Sequence, residues 1–108
     1  MKNLRKSTQN SLVRLSEDEI RIIKETAKEI FGKKTKVYIF GSRADLTKRG
    51  GDIDIFVIPE VKNNLFEKKL KFLVKLKTKI GEQKIDVIIR GLDKGNILNI
   101  AKKTGVLI

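Results

Sequence analysis

Two aspartates, Asp52 and Asp54, flank one isoleucine in the apolar, strand-forming segment DIDIFVI. Residues i and i+2 of an extended strand project from the same face, so the two carboxylates point in the same direction. A Gly41-Ser42 pair precedes them and directly follows another apolar segment. Carboxylate oxygens are ligands for Mg²⁺, and a turn of small residues lets phosphate groups approach the backbone. These residue types and their order predict a magnesium-nucleotide site.

A third aspartate, Asp86, lies among isoleucines and valine in the segment KIDVIIR. A lone carboxylate in such a strand is costly to bury unless it is paired or bound to a metal. If this strand lies beside the strand of Asp54, the three carboxylates can converge, and their mutual repulsion then calls for divalent cations. Two alternatives stay open: Asp52 and Asp54 as solvated strand residues, and an ion pair between Asp86 and Arg90.

The composition excludes several kinds of catalysis. The chain has no cysteine and no histidine, so disulfides, thiolate nucleophiles, zinc-thiolate sites and Ser-His or Cys-His pairs are absent. Any catalysis must therefore use carboxylates, lysine or arginine, backbone donors and a bound hard cation.

The net charge of +12, from 25 Lys and Arg against 13 Asp and Glu, attracts nucleotides, RNA or an acidic protein. A lysine-rich surface without a binding role is the alternative. The basic residues are scattered with almost no aromatic residues among them, unlike a stacking surface for single strands, so direct RNA binding is possible but not expected.

No apolar segment approaches the ~20 residues of a membrane span, and the first residues lack a signal-type apolar core. We expect a cytoplasmic protein that does not contact a membrane.

Helices and strands alternate along the chain. Ser16 and Glu19 form a capping box at the start of the first helix, and Gly32 ends it. Apolar periodicity predicts further helices over 64–80 and 96–103 and strands over 36–40, 52–58 and 84–90. This order predicts a single α/β domain over residues 16–108 with an open sheet, preceded by a flexible basic arm over residues 1–15. The apolar face of the 52–58 strand should meet helices, leaving the aspartates on the other face.

Two short segments together form a signature: FGSRA at 40–44 and GDIDI at 51–55. They resemble the DNA polymerase β nucleotidyltransferase superfamily, and most closely its minimal nucleotidyltransferases, the MntA-like antitoxins. The resemblance covers nearly the whole chain. It implies the nucleotidyltransferase fold, of the α/β (α+β) class, with a small mixed sheet of three or slightly more strands. Helices would pack on one face of this sheet, and the active-site aspartates would lie on the other.

The resemblance also implies roles for individual residues. Asp52, Asp54 and Asp86 would be catalytic and would hold Mg²⁺, most simply two ions, with Asp86 also helping to deprotonate the acceptor hydroxyl. Gly41 and Ser42 would bind the phosphates of ATP within residues 41–51, hereafter the phosphate loop. Arg43 is either a further phosphate contact or a solvent-facing charge. Two departures from the family pattern, Gly51 and the segment 45–47, fall in this loop and leave the metal ligands unchanged.

The function implied by the resemblance is transfer of AMP from ATP to a hydroxyl group. The expected acceptor is the hydroxyl of a tyrosine in a cognate HEPN-domain ribonuclease toxin. The protein would then be the antitoxin of this pair and form a hetero-oligomer with the toxin. Two alternatives remain. The protein can neutralise its partner by binding alone, or it can transfer nucleotides to RNA ends or a small molecule. We expect the last less, because 108 residues leave little room for an acceptor-binding domain.

Overall fold

The structure, a computed structural model, describes residues 12–81 and 83–108. In this part of the chain the helices are α1 (Glu17–Phe31), α2 (Leu65–Ile80) and α3 (Asn96–Thr104). The strands are β1 (Lys36–Phe40), β2 (Ile53–Ile58), β3 (Ile85–Ile89) and β4 (Val106–Leu107), and a 3-10 turn (Gly41–Ala44) follows β1. The three helices and three longer strands lie where the sequence predicts them, and no bound differs by more than one residue.

Helix α1 begins with the predicted capping box. The Ser16 hydroxyl accepts a hydrogen bond from the Glu19 backbone N–H at 3.1 Å, and the Glu19 carboxylate accepts one from the Ser16 N–H at 2.9 Å. Two donors that have no partner within the helix are thereby satisfied. The buried residues of α1 recur at helical spacing, at Ile20, Ile23, Ala27 and Phe31. The prediction for this helix is confirmed.

The four strands form one mixed sheet in the order β3-β2-β1-β4. Strand β1 pairs antiparallel with β2 and with β4, whereas β2 and β3 are parallel. A parallel pair needs a crossover, which α2 supplies. The fourth strand comes from the apolar tail, where Leu107 pairs with Tyr38 and Val106 with Ile39. A strand of two residues leaves no periodic pattern in a sequence, which is why the expectation of three or slightly more strands could not specify it.

One face of the sheet forms the main core with α1 and α2. Alternate residues of β1, β2 and β3 contribute to it, because side chains alternate between the faces of a sheet. These buried residues are Val37, Ile39, Ile53, Ile55, Val57, Ile85, Val87 and Ile89. The two helices meet at an edge-to-face contact between Phe31 and Phe72, with ring centroids 5.6 Å apart. The apolar face of β2 thus meets the helices as the sequence predicts.

The other face carries Asp54 and is partly covered by α3. Ala101 of α3 is buried against Phe40 and Phe56, and Leu98 packs at the edge of this second cluster. The expectation that helices pack on one face is therefore correct for α1 and α2 and wrong for α3. The physical reason is that Phe40 and Phe56 share the face of Asp54 and need apolar cover. An amphipathic pattern shows which side of a helix is buried but not which face of a sheet buries it.

Residues 13–15 are packed against the domain. Val13 is 2% exposed and Leu15 is 7% exposed, and both belong to the main core. The expectation of a flexible arm is thus wrong for these residues, while residues 1–11 lie outside the described part of the chain. No helix in the described residues has the length and apolar character needed to cross a membrane.

Replacing Phe72 by alanine should lower the free energy of unfolding by about 3–5 kcal/mol, because the substitution empties a fully buried ring site at the α1–α2 contact. The matched control is Val74→Ala on the same helix, where the side chain is 65% exposed and the change should stay within about 0.5 kcal/mol. Urea unfolding followed by circular dichroism measures both. Equal midpoints for the two variants would contradict this description of the core.

Candidate active site

Asp54 of β2 and Asp86 of β3 are directly paired across the parallel strands. Residues in register on neighbouring strands project from the same face, so both carboxylates lie on the face opposite the main core. When Asp54 is protonated, its carboxyl group can donate a hydrogen bond to Asp86. The structure therefore places Asp86 beside Asp54, as predicted from its position in an otherwise apolar strand. Within the described residues, Asp86 makes no ion pair with Arg90.

The electrostatics of this pair are unfavourable for two ionised carboxylates. Burial raises the pKa of Asp54, and the negative charges of Asp86 and Asp52 raise it further, to about 6 from 3.8. The hydrogen bond with Asp86 acts in the same direction, and the positive charge of Lys84 opposes the change only in part. Negative charge is thus concentrated where the protein supplies little positive charge to balance it.

Asp52 lies one residue ahead of β2 and at the border of the site. Its Oδ2 atom is 3.8 Å from Nζ of Lys84, and the two side chains are 42% and 75% exposed. Such an exposed pair contributes little stability. Among the described residues, no three carboxylates are already spaced to hold a metal ion. The structure therefore brings Asp54 and Asp86 into contact, and it leaves Asp52 nearby and paired with Lys84.

The donor atoms at this site fit a hard divalent cation. Carboxylate oxygens are available, while histidine and cysteine are absent from the chain, and such a set suits Mg²⁺ better than zinc or copper. The raised pKa of Asp54 indicates a site that a cation would stabilise. For all three aspartates to bind the same metal ion, the Asp52 side chain must give up its ion pair with Lys84 and turn towards the metal.

Gly41 brings the phosphate loop against Asp54. Its φ angle is +71°, and a Cβ atom at this position would collide with the Asp54 carboxylate. Both the left-handed backbone and the lack of space require glycine. The 3-10 turn that Gly41 begins follows β1, the antiparallel neighbour of β2. The predicted proximity of the Gly-Ser pair to the aspartates is therefore present in the structure.

The two ends of the phosphate loop meet at Ser42 and Gly51. A Cβ atom on Gly51, whose φ is +89°, would collide with the Ser42 hydroxyl. Glycine at position 51, one of the departures from the family pattern, thus leaves room for this hydroxyl. The loop closes on itself beside the aspartates.

Arg43 is tied to neighbouring loop and chain segments. Its guanidinium donates hydrogen bonds to the carbonyls of Gly51 (3.2 Å) and Arg14 (2.8 Å) and to Oε1 of Gln83 (3.4 Å). These contacts connect the two ends of the phosphate loop to the segment ahead of α1. The proposed contact of Arg43 with a phosphate group stays a prediction.

Arg14 is a residue that sequence reasoning missed. Its guanidinium donates to three carbonyl oxygens of the phosphate loop: Ser42 (2.7 Å), Gly50 (2.8 Å) and Asp45 (2.9 Å). The only sequence signal is local: Arg14 lies between Val13 and Leu15, and two apolar residues around a charged one are typical of a strand-like segment with one buried face. The sequence analysis placed the start of the domain at the capping-box serine that follows, and it therefore left Arg14 outside the domain.

Two clefts adjoin this part of the structure, one lined by Asp54 and the other by Gly41. A cleft of about 410 Å³ contains Asp54 and Asp86 together with Lys69 of α2 and Ile97 of α3. Nζ of Lys69 is held 3.0 Å from the carboxylate of Asp93. A second cleft of about 600 Å³ is lined by the other flank of the phosphate loop and by α3, at Gly41, Ala44, Asp45, Leu46, Ile100 and Thr104. The carboxylate pair lines the first cleft, and Gly41, which lies against Asp54, lines the second.

A comparison with protein families gives the class of this chain. A family model described as the nucleotidyltransferase domain matches residues 20–108, and the chain belongs to this family. The match confirms the nucleotidyltransferase superfamily predicted from the sequence and supports nucleotidyl transfer as the general activity. No curated protein matches the chain.

Replacing Asp54 by asparagine should stabilise the metal-free protein at pH 7.5. A pKa raised to about 6 means that folding is penalised when this carboxyl is ionised. The change from 3.8 corresponds to at most about 3 kcal/mol, and partial exposure reduces the expected gain to about 1 kcal/mol. Thermal unfolding in EDTA measures the difference between the variant and the wild type.

The pH dependence supplies the control for this experiment. Below pH 3.8 the Asp54 carboxyl is protonated and does not destabilise the folded protein. As the pH rises through about 6 the carboxyl ionises, and the free energy of unfolding falls. The advantage of Asp54→Asn should therefore be present at pH 7.5 and absent near pH 4. A variant that is less stable than the wild type at pH 7.5 would show that the repulsion among the aspartates is already compensated.

Proposed function

We propose that this protein transfers AMP from ATP to a hydroxyl group in a magnesium-dependent reaction. We further propose that the acceptor is a tyrosine of a cognate HEPN-domain ribonuclease toxin, for which the protein is the antitoxin. The observation that best supports the transfer is the contact between Asp54 and Asp86 directly beside Gly41, in a chain of the nucleotidyltransferase family. The acceptor and the partner follow from the resemblance to minimal nucleotidyltransferases.

The phosphate loop would hold the triphosphate. Gly41 lets the backbone come close to the phosphates, and the Ser42 hydroxyl adds a donor. Asp52, Asp54 and Asp86 would hold Mg²⁺, which, when bound, lowers the pKa of the acceptor hydroxyl and neutralises phosphate charge. The side chains would thus orient both reactants without a histidine.

In the transfer step, the acceptor oxygen attacks the α-phosphorus of ATP and forms a new P–O ester bond. The bond between the α-phosphorus and the oxygen that bridges to the β-phosphate breaks, and pyrophosphate leaves with the electron pair. The proton of the acceptor hydroxyl passes to the carboxylate of Asp86 and then to solvent. The products are an adenylylated acceptor and pyrophosphate.

The cleft at Asp86 suits a protein side chain as the acceptor. Its apolar lining residues are Phe40, Leu73 and Ile97, and Lys69 adds a positive charge. Apolar walls of this kind favour an aromatic ring. The net charge of +12 favours an acidic partner. Both features support a tyrosine carried by an acidic protein.

The transfer can be tested with ATP labelled at the α-phosphate, Mg²⁺ and the product of the neighbouring gene, which under this proposal is a HEPN-domain protein. The label should become covalently attached to the HEPN protein and should map to tyrosine. In Asp54→Asn the rate should fall by about 10³-fold or more, because several kcal/mol of metal-dependent stabilisation are lost. Electrophoresis and mass spectrometry detect the label.

Asp18→Asn is the matched control, because Asp18 is an exposed aspartate of α1 that pairs with Arg21 on the surface. Its transfer rate should equal that of the wild type. Toxin neutralisation that persists in Asp54→Asn without any covalent label would contradict the enzymatic proposal and favour neutralisation by binding. Label found on RNA but not on protein would contradict the proposed acceptor.

A further inference from the structure

We propose that Arg14 is a positioning residue that holds the phosphate loop in its nucleotide-binding geometry. The affinity for nucleotide would then depend on a side chain that precedes the first helix. The inference rests on the proposed function in one respect: the ligand of the loop is taken to be a nucleoside triphosphate.

The contacts of Arg14 span the whole loop. Its three acceptors are the carbonyls of Ser42 at the start of the loop, Asp45 in the middle and Gly50 near the end, at 2.7, 2.9 and 2.8 Å. Residues 45–52 contain neither helix nor strand. Their backbone hydrogen bonds are those of turns, from the Asp45 N–H to the Ser42 carbonyl at 3.1 Å and from the Lys48 N–H to the Asp45 carbonyl at 3.3 Å. The guanidinium adds charge-assisted bonds, which are shorter and stronger than neutral ones, and these connect the start, middle and end of the loop.

The backbone of Arg14 is itself fixed. Val13 and Leu15 are buried on either side of it. The Arg14 N–H donates to the Arg43 carbonyl at 2.7 Å, and the Arg43 guanidinium donates to the Arg14 carbonyl at 2.8 Å. Because core contacts and reciprocal hydrogen bonds hold this segment, the Arg14 side chain reaches the loop from a rigid base.

The contact with Ser42 explains why the loop geometry matters for phosphate binding. The peptide group is planar and trans, so a fixed Ser42 carbonyl also fixes the direction of the following N–H group. The contact with Gly50 holds the far end of the loop where Gly51 lies against the Ser42 hydroxyl. Arg14 therefore acts through Ser42 and the loop backbone, and it contacts no reacting atom in the proposed transfer.

Arginine is better suited to this role than lysine. The guanidinium presents five donors in a rigid, planar fork, whereas an ammonium group is a compact charge on a flexible chain. Arg14 uses Nε and one terminal nitrogen to reach three acceptors. We expect lysine at this position to hold the loop only in part.

The test compares Arg14→Met with Arg21→Met in two measurements. Arg21 is a matched control, because it is an arginine of α1 whose ion pairs with Asp18 and Glu25 are exposed. The first measurement is the Kd for Mg·ATP by calorimetry. It should rise about 10- to 100-fold in Arg14→Met, as expected for a misplaced binding group, and stay unchanged in Arg21→Met.

The second measurement is tryptic cleavage after Lys48 and Arg49 in the nucleotide-free proteins, followed by mass spectrometry. Both residues lie in the exposed part of the loop. Cleavage there should be faster in Arg14→Met and unchanged in Arg21→Met, because a loosened loop fits a protease more readily. Arg14→Lys should give intermediate values in both measurements, and it also serves as the informative variant if Arg14→Met does not fold.

The two measurements separate the possible failures. Unchanged loop cleavage in Arg14→Met and Arg14→Lys would overturn the inference about Arg14, whatever the ligand is. A normal Kd in both variants would overturn the claim that the loop geometry controls nucleotide affinity. A wild-type protein that does not bind Mg·ATP would contradict the proposed function itself, and with it the nucleotide part of this inference.

Discussion

The structure is organised around the repulsion between two carboxylates that the sheet holds side by side. Asp54 and Asp86 occupy paired positions of parallel strands, and the other faces of these strands are buried through Ile53, Ile55 and Val87. The strands cannot separate without opening the core, so the charges cannot move apart. Burial and like charge raise the pKa of Asp54 instead. The fold thereby maintains a site that a cation would stabilise.

A network of hydrogen bonds connects this site to the start of the domain. Nε2 of Gln83 donates to the Glu19 carboxylate at 2.9 Å, and Oε1 of Gln83 accepts from Arg43. Burial raises the pKa of Glu19, but hydrogen bonds from Gln83 and Ser16 outweigh it and lower the pKa overall. Glu19 is thus ionised while it caps α1 and contacts Gln83. The first turn of α1, the segment ahead of β3 and the phosphate loop are parts of one polar assembly.

Local patterns predicted the elements that carry the chemistry. Helical and strand periodicity located α1, α2 and β2. One charge in an apolar strand indicated that Asp86 could share the face of Asp54 if the two strands were neighbours, and the structure supplies that condition. What the sequence could not supply depends on contacts between distant residues. The hydrogen bonds of Arg14 reach 28 to 36 residues along the chain. The sheet face chosen by α3 and the pairing of Asp52 with Lys84 depend in the same way on how elements meet in space.

The central claim is that the aspartates hold a divalent cation together with a nucleotide. Electron paramagnetic resonance of Mn²⁺ tests it most directly, in the presence of an ATP analogue that cannot be cleaved between its α- and β-phosphates. The wild type should bind Mn²⁺ and reduce the signal of the free ion beyond the effect of the analogue alone, whereas Asp54→Asn should not. Identical titrations for the two proteins would contradict the account, because the carboxylate pair would then have no part in metal binding.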